Sequence, residues 1–211
     1  MLLFYITDRT QFPGDENTRR STLLAKIAQA TRCGVDFIQL REKDLSIREL
    51  ETLTRAALRI TGENSRESVT RLLINSRSDV AIACGADGVH LRADDISPSE
   101  VQRIWALGGR SARAIISVSC HSAADVARAA CETSDFAVFA PVFGKKDAPQ
   151  TSAAGLEGLR AACRHTIPVF ALGGITFNNA RACLDAGAAG IAAIRLFQQN
   201  DIADVVRRLR G

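Results

Sequence analysis

The sequence predicts an α/β protein built as a single closed (β/α)8 barrel. Short apolar runs alternate with helical patterns along the whole chain. A junction from helix to strand recurs, and polar residues gather at the C-terminal ends of the apolar runs. The junctions are Cys33-Gly34-Val35-Asp36-Phe37, Cys84-Gly85-Ala86-Asp87-Gly88-Val89, Thr133-Ser134-Asp135-Phe136-Ala137 and Ala186-Gly187-Ala188-Ala189-Gly190-Ile191. Most place a glycine where a helix ends and a strand begins. They recur roughly every 50 residues, which is about two βα units. An open doubly wound sheet is the rival, and a closed barrel fits the alternation better.

The strands are expected at residues 2–7, 35–41, 71–74, 88–91, 114–119, 136–141, 169–172 and 190–194. Helical periodicity falls at 23–32, 49–61, 97–107, 123–132, 154–164 and 177–186, with a short segment at 77–83. The polar stretches 8–20 and 144–152 read as loops. Along the second strand Val35, Phe37, Gln39 and Arg41 share one face, and Lys43 continues it if the chain stays extended. Two cations at a strand end suit a phosphate or pyrophosphate; an ion pair of Arg41 with a neighbouring carboxylate is the plainer alternative.

In a barrel this strand end joins others to form one cavity. Asn75 ends the third strand, Asp94 and Asp95 follow the fourth, and Ser119 and His121 end the fifth. Gly173-Gly174 follows the seventh strand and Ala192 to Arg195 closes the eighth, where barrels hold phosphate on backbone N–H groups. Simple turn glycines would read the same way. His90 and His165 read as structural, and Cys120 as a buried small residue rather than a nucleophile.

Composition narrows the function class. A chain of 211 residues with 46% hydrophobic content supports one compact domain over residues 1–211. The net charge of +4 is mild, and one Trp and one Tyr offer no stacking set, so nucleic acid is not expected as a partner. The apolar run at 1–6 is too short for a signal segment and no later run reaches spanning length, which predicts a cytoplasmic protein without a membrane partner. Six dispersed cysteines without a C-x-x-C pair fit reduced core thiols.

With these residues placed, the chain resembles the thiamine phosphate synthase and TenI family of barrels. The resemblance rests on Tyr5-Ile6-Thr7-Asp8-Arg9, Gln39-Leu40-Arg41-Glu42-Lys43, Ile74-Asn75 with Arg77, Gly85-Ala86-Asp87-Gly88-Val89-His90-Leu91, Val118-Ser119 with His121-Ser122, Pro141-Val142-Phe143 and Leu172-Gly173-Gly174-Ile175, in that order. It implies condensation of hydroxymethylpyrimidine pyrophosphate with a thiazole phosphate, with pyrophosphate leaving under Mg²⁺. It also implies roles for single residues. Arg41, Lys43 and Asn75 match positions that hold pyrophosphate, Gln39 the pyrimidine side, Ser119 a substrate contact, and Gly174 and Ile194 the thiazole-phosphate end. Asp95 matches a metal carboxylate, to which Asp94 can add.

Three positions depart from the family pattern. Ser76 stands where a second metal carboxylate is usual, only Lys145 and Lys146 are counterparts in the loop after the sixth strand, and Arg195 replaces a serine. TenI relatives tautomerise a thiazole without metal, and a histidine matching His121 is their candidate acid or base. Isomerase activity is therefore the alternative, with a non-catalytic binding protein for thiamine precursors as a third reading. Partners are phosphorylated small molecules, and a homo-oligomer is compatible with the sequence.

Overall fold

The computed structural model describes residues 1–63, 69–109, 112–144 and 153–211. Eight parallel strands close in chain order: β1 (Leu2–Ile6), β2 (Phe37–Leu40), β3 (Arg71–Asn75), β4 (Gly88–Leu91), β5 (Ile115–Cys120), β6 (Phe136–Phe139), β7 (Val169–Ala171) and β8 (Gly190–Ala193). β8 pairs back onto β1, so the fold is a (β/α)8 barrel and the open sheet is excluded. Each strand is short and apolar because helices cover its outer face and the lumen fills its inner one.

Side-chain alternation divides the core in two. Leu3, Tyr5, Ile38, Leu40, Ile74, Val89 and Ile116 face outward into the layer beneath the helices. Phe4, Phe37, Phe136 and Phe170 face inward and plug the lumen, their ring centroids 4.8 to 5.9 Å apart in edge-on or tilted pairs. These rings sit early in their strands. Toward the C-terminal strand ends Ile6, Leu172 and Ile194 pack on this cluster, and polar side chains of β2 to β5 share the space with them.

The recurring Asp of the junctions has a structural task at the opposite rim. Asp36 Oδ2 accepts from Leu3 N at 2.7 Å, Asp87 Oδ2 from Leu72 N at 2.8 Å, and Asp135 Oδ2 from Ile116 N at 2.7 Å. Each carboxylate therefore pins an even strand to the strand before it. The fourth junction carries Ala189 instead, and its backbone carbonyl takes the Leu2 N–H at 3.1 Å.

The helices are α1 (Glu16–Arg32), α2 (Ile47–Glu63), α3 (Ser78–Cys84), α4 (Pro98–Leu107), α5 (Ala123–Cys131), α6 (Gly155–Ala162), α7 (Ala180–Asp185), α8 (Arg195–Gln198) and α9 (Ile202–Arg210). α1 begins seven residues before its apolar periodicity, which corrects the reading of 8–20 as all loop. Asp15 caps it by accepting from Thr18 N at 2.8 Å, and the polar turn that follows faces solvent. Capping boxes start α4 (Ser97 with Glu100) and α5 (Ser122 with Asp125). α7 starts only at Ala180 because Asn179 Oδ1 accepts from Thr176 N and holds the preceding residues in a turn.

Candidate active site

The inward row of β2 ends as expected in Gln39, buried at 1% exposure, followed by a half-buried Arg41. The chain then turns, so Lys43 does not continue the strand. It is exposed, yet Arg41 lies near enough to hold its ammonium below the usual range, with burial and Arg92 adding to the effect.

Arg41 makes no ion pair with a carboxylate among the described residues. The adjacent Glu42 is buried and turned away: its Oε1 accepts from Thr7 Oγ1 at 2.5 Å and its Oε2 from Arg9 N at 3.0 Å and Arg9 Nη1 at 3.2 Å. Arg9 also grips Asp44 with two bonds of 2.7 and 2.9 Å. The Thr7 hydroxyl accepts from Arg41 N at 2.9 Å. The loop carrying Arg41 and Lys43 is thus anchored at both ends by neighbours that leave the two cations facing a cleft lined by Asp8, Thr10, Arg41, Glu42, Lys43 and Asp44.

A one-way hydrogen-bond chain crosses the ends of β2, β3 and β4. Asp95 is a carboxylate and only accepts, so the Ser76 hydroxyl donates to it. Ser76 Oγ accepts from Asn75 Nδ2 at 3.2 Å, and Asn75 Oδ1 accepts from Gln39 Nε2 at 2.8 Å. This polarity leaves Gln39 Oε1 as a buried acceptor without a partner. A buried orphan acceptor costs roughly 1–3 kcal/mol, so the site is built to receive an N–H donor there. Ser76 holds a left-handed φ of 59°, a conformation uncommon outside glycine.

His90 lies beneath this chain in the structural place expected of it. Its parity is that of Gly88 and it pairs with Asn75 in the sheet, so it points into the lumen. Its Nδ1 is 2.8 Å from Ser117 Oγ and its Nε2 2.8 Å from Ser119 Oγ. Complete burial pushes its pKa down to about 4, so the ring is neutral at pH 7. Ser119 is therefore held from below by a neutral imidazole.

His121 lies just past β5 and is exposed. Its Nδ1 is 2.7 Å from the Ala140 carbonyl, which only accepts, so Nδ1 carries the proton and Nε2 is left as the basic nitrogen. Cys120 points away from the lumen, and burial pushes its thiol up to about 12, in keeping with a core role.

At the far side of the mouth Gly173 and Gly174 have φ of 99° and 62°, and a Cβ on either would come within 2.8 Å of Pro141 or Phe143. Only glycine fits there. Ile194 packs on the inner cluster and precedes Arg195, the first residue of α8. Lys145 and Lys146 lie outside the described residues.

The expected metal carboxylates do not assemble a cation cage. Asp95 Oδ2 accepts from Arg92 N at 2.8 Å and its Oδ1 lies 3.2 Å from Arg92 Nη2. Burial pushes the Asp95 carboxyl up, but these partners and Ser76 outweigh it and leave the group below its usual range. Asp94 is largely exposed and 3.5 Å from Arg92 Nε. Among the described residues no group of three or more His, Cys, Asp or Glu side chains is disposed to hold a metal.

Comparison with known proteins follows the same lines. The sequence profile of the thiamine monophosphate synthase family matches residues 3–197. A thiamine-phosphate synthase of Methanoculleus marisnigri is 38% identical over 213 residues, spanning 99% of this chain and 93% of that protein. One from Deinococcus radiodurans is 38% identical over 194 residues, 89% of this chain and 66% of its own length. The solved thiamine phosphate pyrophosphorylase from Pyrococcus furiosus superposes with a TM-score of 0.80 at 30% identity, covering 99% of this chain and 93% of that one.

Proposed function

The chain belongs to the thiamine monophosphate synthase family, and from that premise we propose that it joins hydroxymethylpyrimidine pyrophosphate to a thiazole phosphate. One observation carries the reading to this chain's own residues: the orphaned Gln39 Oε1 lies two residues before the free-facing Arg41 on one inward row. A ligand with an N–H donor on a flat ring and an anionic tail satisfies both. An aminopyrimidine pyrophosphate is such a ligand.

The chemistry then divides among the side chains. Arg41 and Lys43 take the pyrophosphate, whose charge grows as the bond between the pyrimidine methylene and the bridging oxygen breaks, both electrons leaving with oxygen. Gln39 and Asn75 hold the pyrimidine in place, with Asn75 also in reach of the leaving group. The methylene cation is captured by the thiazole nitrogen lone pair, forming the new C–N bond. Neither step moves a proton. Ser119, oriented by His90, contacts substrate, Gly173, Gly174, Ile194 and Arg195 line the thiazole-phosphate end, and Lys145 and Lys146 are assigned to substrate binding. The whole chain acts as one domain on phosphorylated small molecules, in a cytoplasmic setting that its unpaired thiols suit.

The family implies Mg²⁺, but the donor set does not fit a protein-held ion, since Ser76 is neutral and Asp95 is committed to Arg92 and Ser76. The relatives above are named as synthases, so the tautomerase and binding-only readings are not favoured.

Incubation with both precursors, followed by chromatography, should yield thiamine phosphate and pyrophosphate in equal amounts. Absence of product at every Mg²⁺ concentration would sink the proposal. Aromatisation of the thiazole with no pyrimidine present would select the isomerase instead.

A further inference from the structure

Resting on the condensation reading, we propose that Arg92 is a third pyrophosphate-binding cation, supplying from the loop between β4 and α4 the positive charge that this site lacks a carboxylate cage to recruit as metal. The ends of β2, β3 and β4 are neighbours in the barrel, carrying Arg41, Ser76 and Arg92 respectively. A carboxylate at the middle position would stand between the two arginines and call for a cation. Ser76 brings a neutral hydroxyl instead, and that hydroxyl is used on Asp95.

Arg92 is held in place by two carboxylates, the largely buried Asp95 and the largely exposed Asp94. Its backbone N–H and its guanidinium both bond Asp95, at 2.8 Å and 3.2 Å, which fixes the start of the side chain and its far end on one carboxylate. The side chain remains 52% exposed, so part of the guanidinium fork faces outward. It lines a cleft with Asp95 and Ser119, while Arg41 and Lys43 line another. It is close enough to Lys43 to help hold that ammonium below its usual range, so Arg41, Lys43 and Arg92 share one field.

Three like charges gathered this way repel unless an anion lies among them. Asp95 is the one largely buried carboxylate on Arg92, and Asp94 is mostly in water. Asp8 acts on Lys43 in turn, which leaves Arg41 as the cation of the three with no carboxylate partner among the described residues; a pyrophosphate answers it, and a guanidinium can take two of its oxygens at once. When the C–O bond breaks, the electron pair arriving on pyrophosphate meets Arg92 as well as Arg41 and Lys43.

The test is calorimetric titration of the intact protein with inorganic pyrophosphate in excess EDTA, for wild type, Arg92→Gln and Arg92→Lys, beside the condensation assay run without EDTA across a range of Mg²⁺ concentrations. Wild type should bind without metal. Arg92→Gln should bind about tenfold or more weakly, and Arg92→Lys should lie between them. Wild-type binding that requires Mg²⁺ would overturn the inference without recourse to any variant. So would equal binding by a folded Arg92→Gln protein. Metal-free binding that depends on Arg92, without thiamine phosphate formation, would uphold Arg92 as an anion ligand and overturn the condensation reading alone.

Discussion

At the scale of single residues, His90 couples the lumen to pH. Its pKa is about 4 in the fold and about 6.5 when unfolded, so between these values the unfolded chain binds a proton that the folded chain does not. Stability is therefore complete above about pH 6.5 and falls as pH drops toward 4, by up to about 3 kcal/mol. Urea melts at pH 7 and pH 4.5 should show a larger loss for wild type than for His90→Gln; equal losses would contradict the assignment. His121 allows a sharper separation of chemistries. General acid or base loss costs about 10²-fold to 10⁴-fold. Because the displacement moves no proton, His121→Ala should lower condensation by less than about tenfold, and a fall in the full range would place a proton transfer in the mechanism. Ser76→Asp should be accepted by the left-handed backbone, where Asp is enriched, and should make condensation newly responsive to Mg²⁺. An unchanged Mg²⁺ titration would remove that position from any metal site.

At the scale of elements, the repeated aspartates were legible as a motif but not as a device. Their spacing announced the junctions, whereas the bond from each carboxylate to the preceding strand depends on barrel closure and has no local signature. Asp87→Ala removes an anionic acceptor from Leu72 N and should cost about 1–3 kcal/mol. The melting temperature should fall by about 2–4 °C for each kcal/mol. Loss of the exposed Arg71 partner alone should matter far less, since such surface pairs contribute little. A drop in Arg71→Ala as large as that in Asp87→Ala would mean the ion pair, not the strand contact, does the holding. Helix starts were read less well than strands for a similar reason. Apolar periodicity begins at Leu23 in α1, and only the cap at Asp15 marks the polar turn before it.

At the scale of the whole molecule, the closed barrel was legible because alternation, junctions and polar strand ends all agree, and each is a pattern in one dimension. The face carrying Gln39 and Arg41 was equally legible, since parity along a strand decides it. What lay hidden arises between elements. His90 sits between Val89 and Leu91 and reads as part of an apolar strand until its pairing with Asn75 is known. The grip of Arg9 on Glu42 and Asp44 joins the loops after β1 and β2, and Arg92 reaches the site only because β2 and β4 flank the same strand. The central claim is that the inward row of β2 carries the leaving-group chemistry, and Arg41→Ala tests it most directly. The Arg41 backbone bond to Thr7 survives this change, so the fold should melt as wild type does. With the pyrimidine pyrophosphate as varied substrate, kcat/KM should fall by about 10²-fold to 10³-fold, the usual effect of removing a donor aimed at developing charge. A folded Arg41→Ala protein with wild-type kcat/KM would contradict the account.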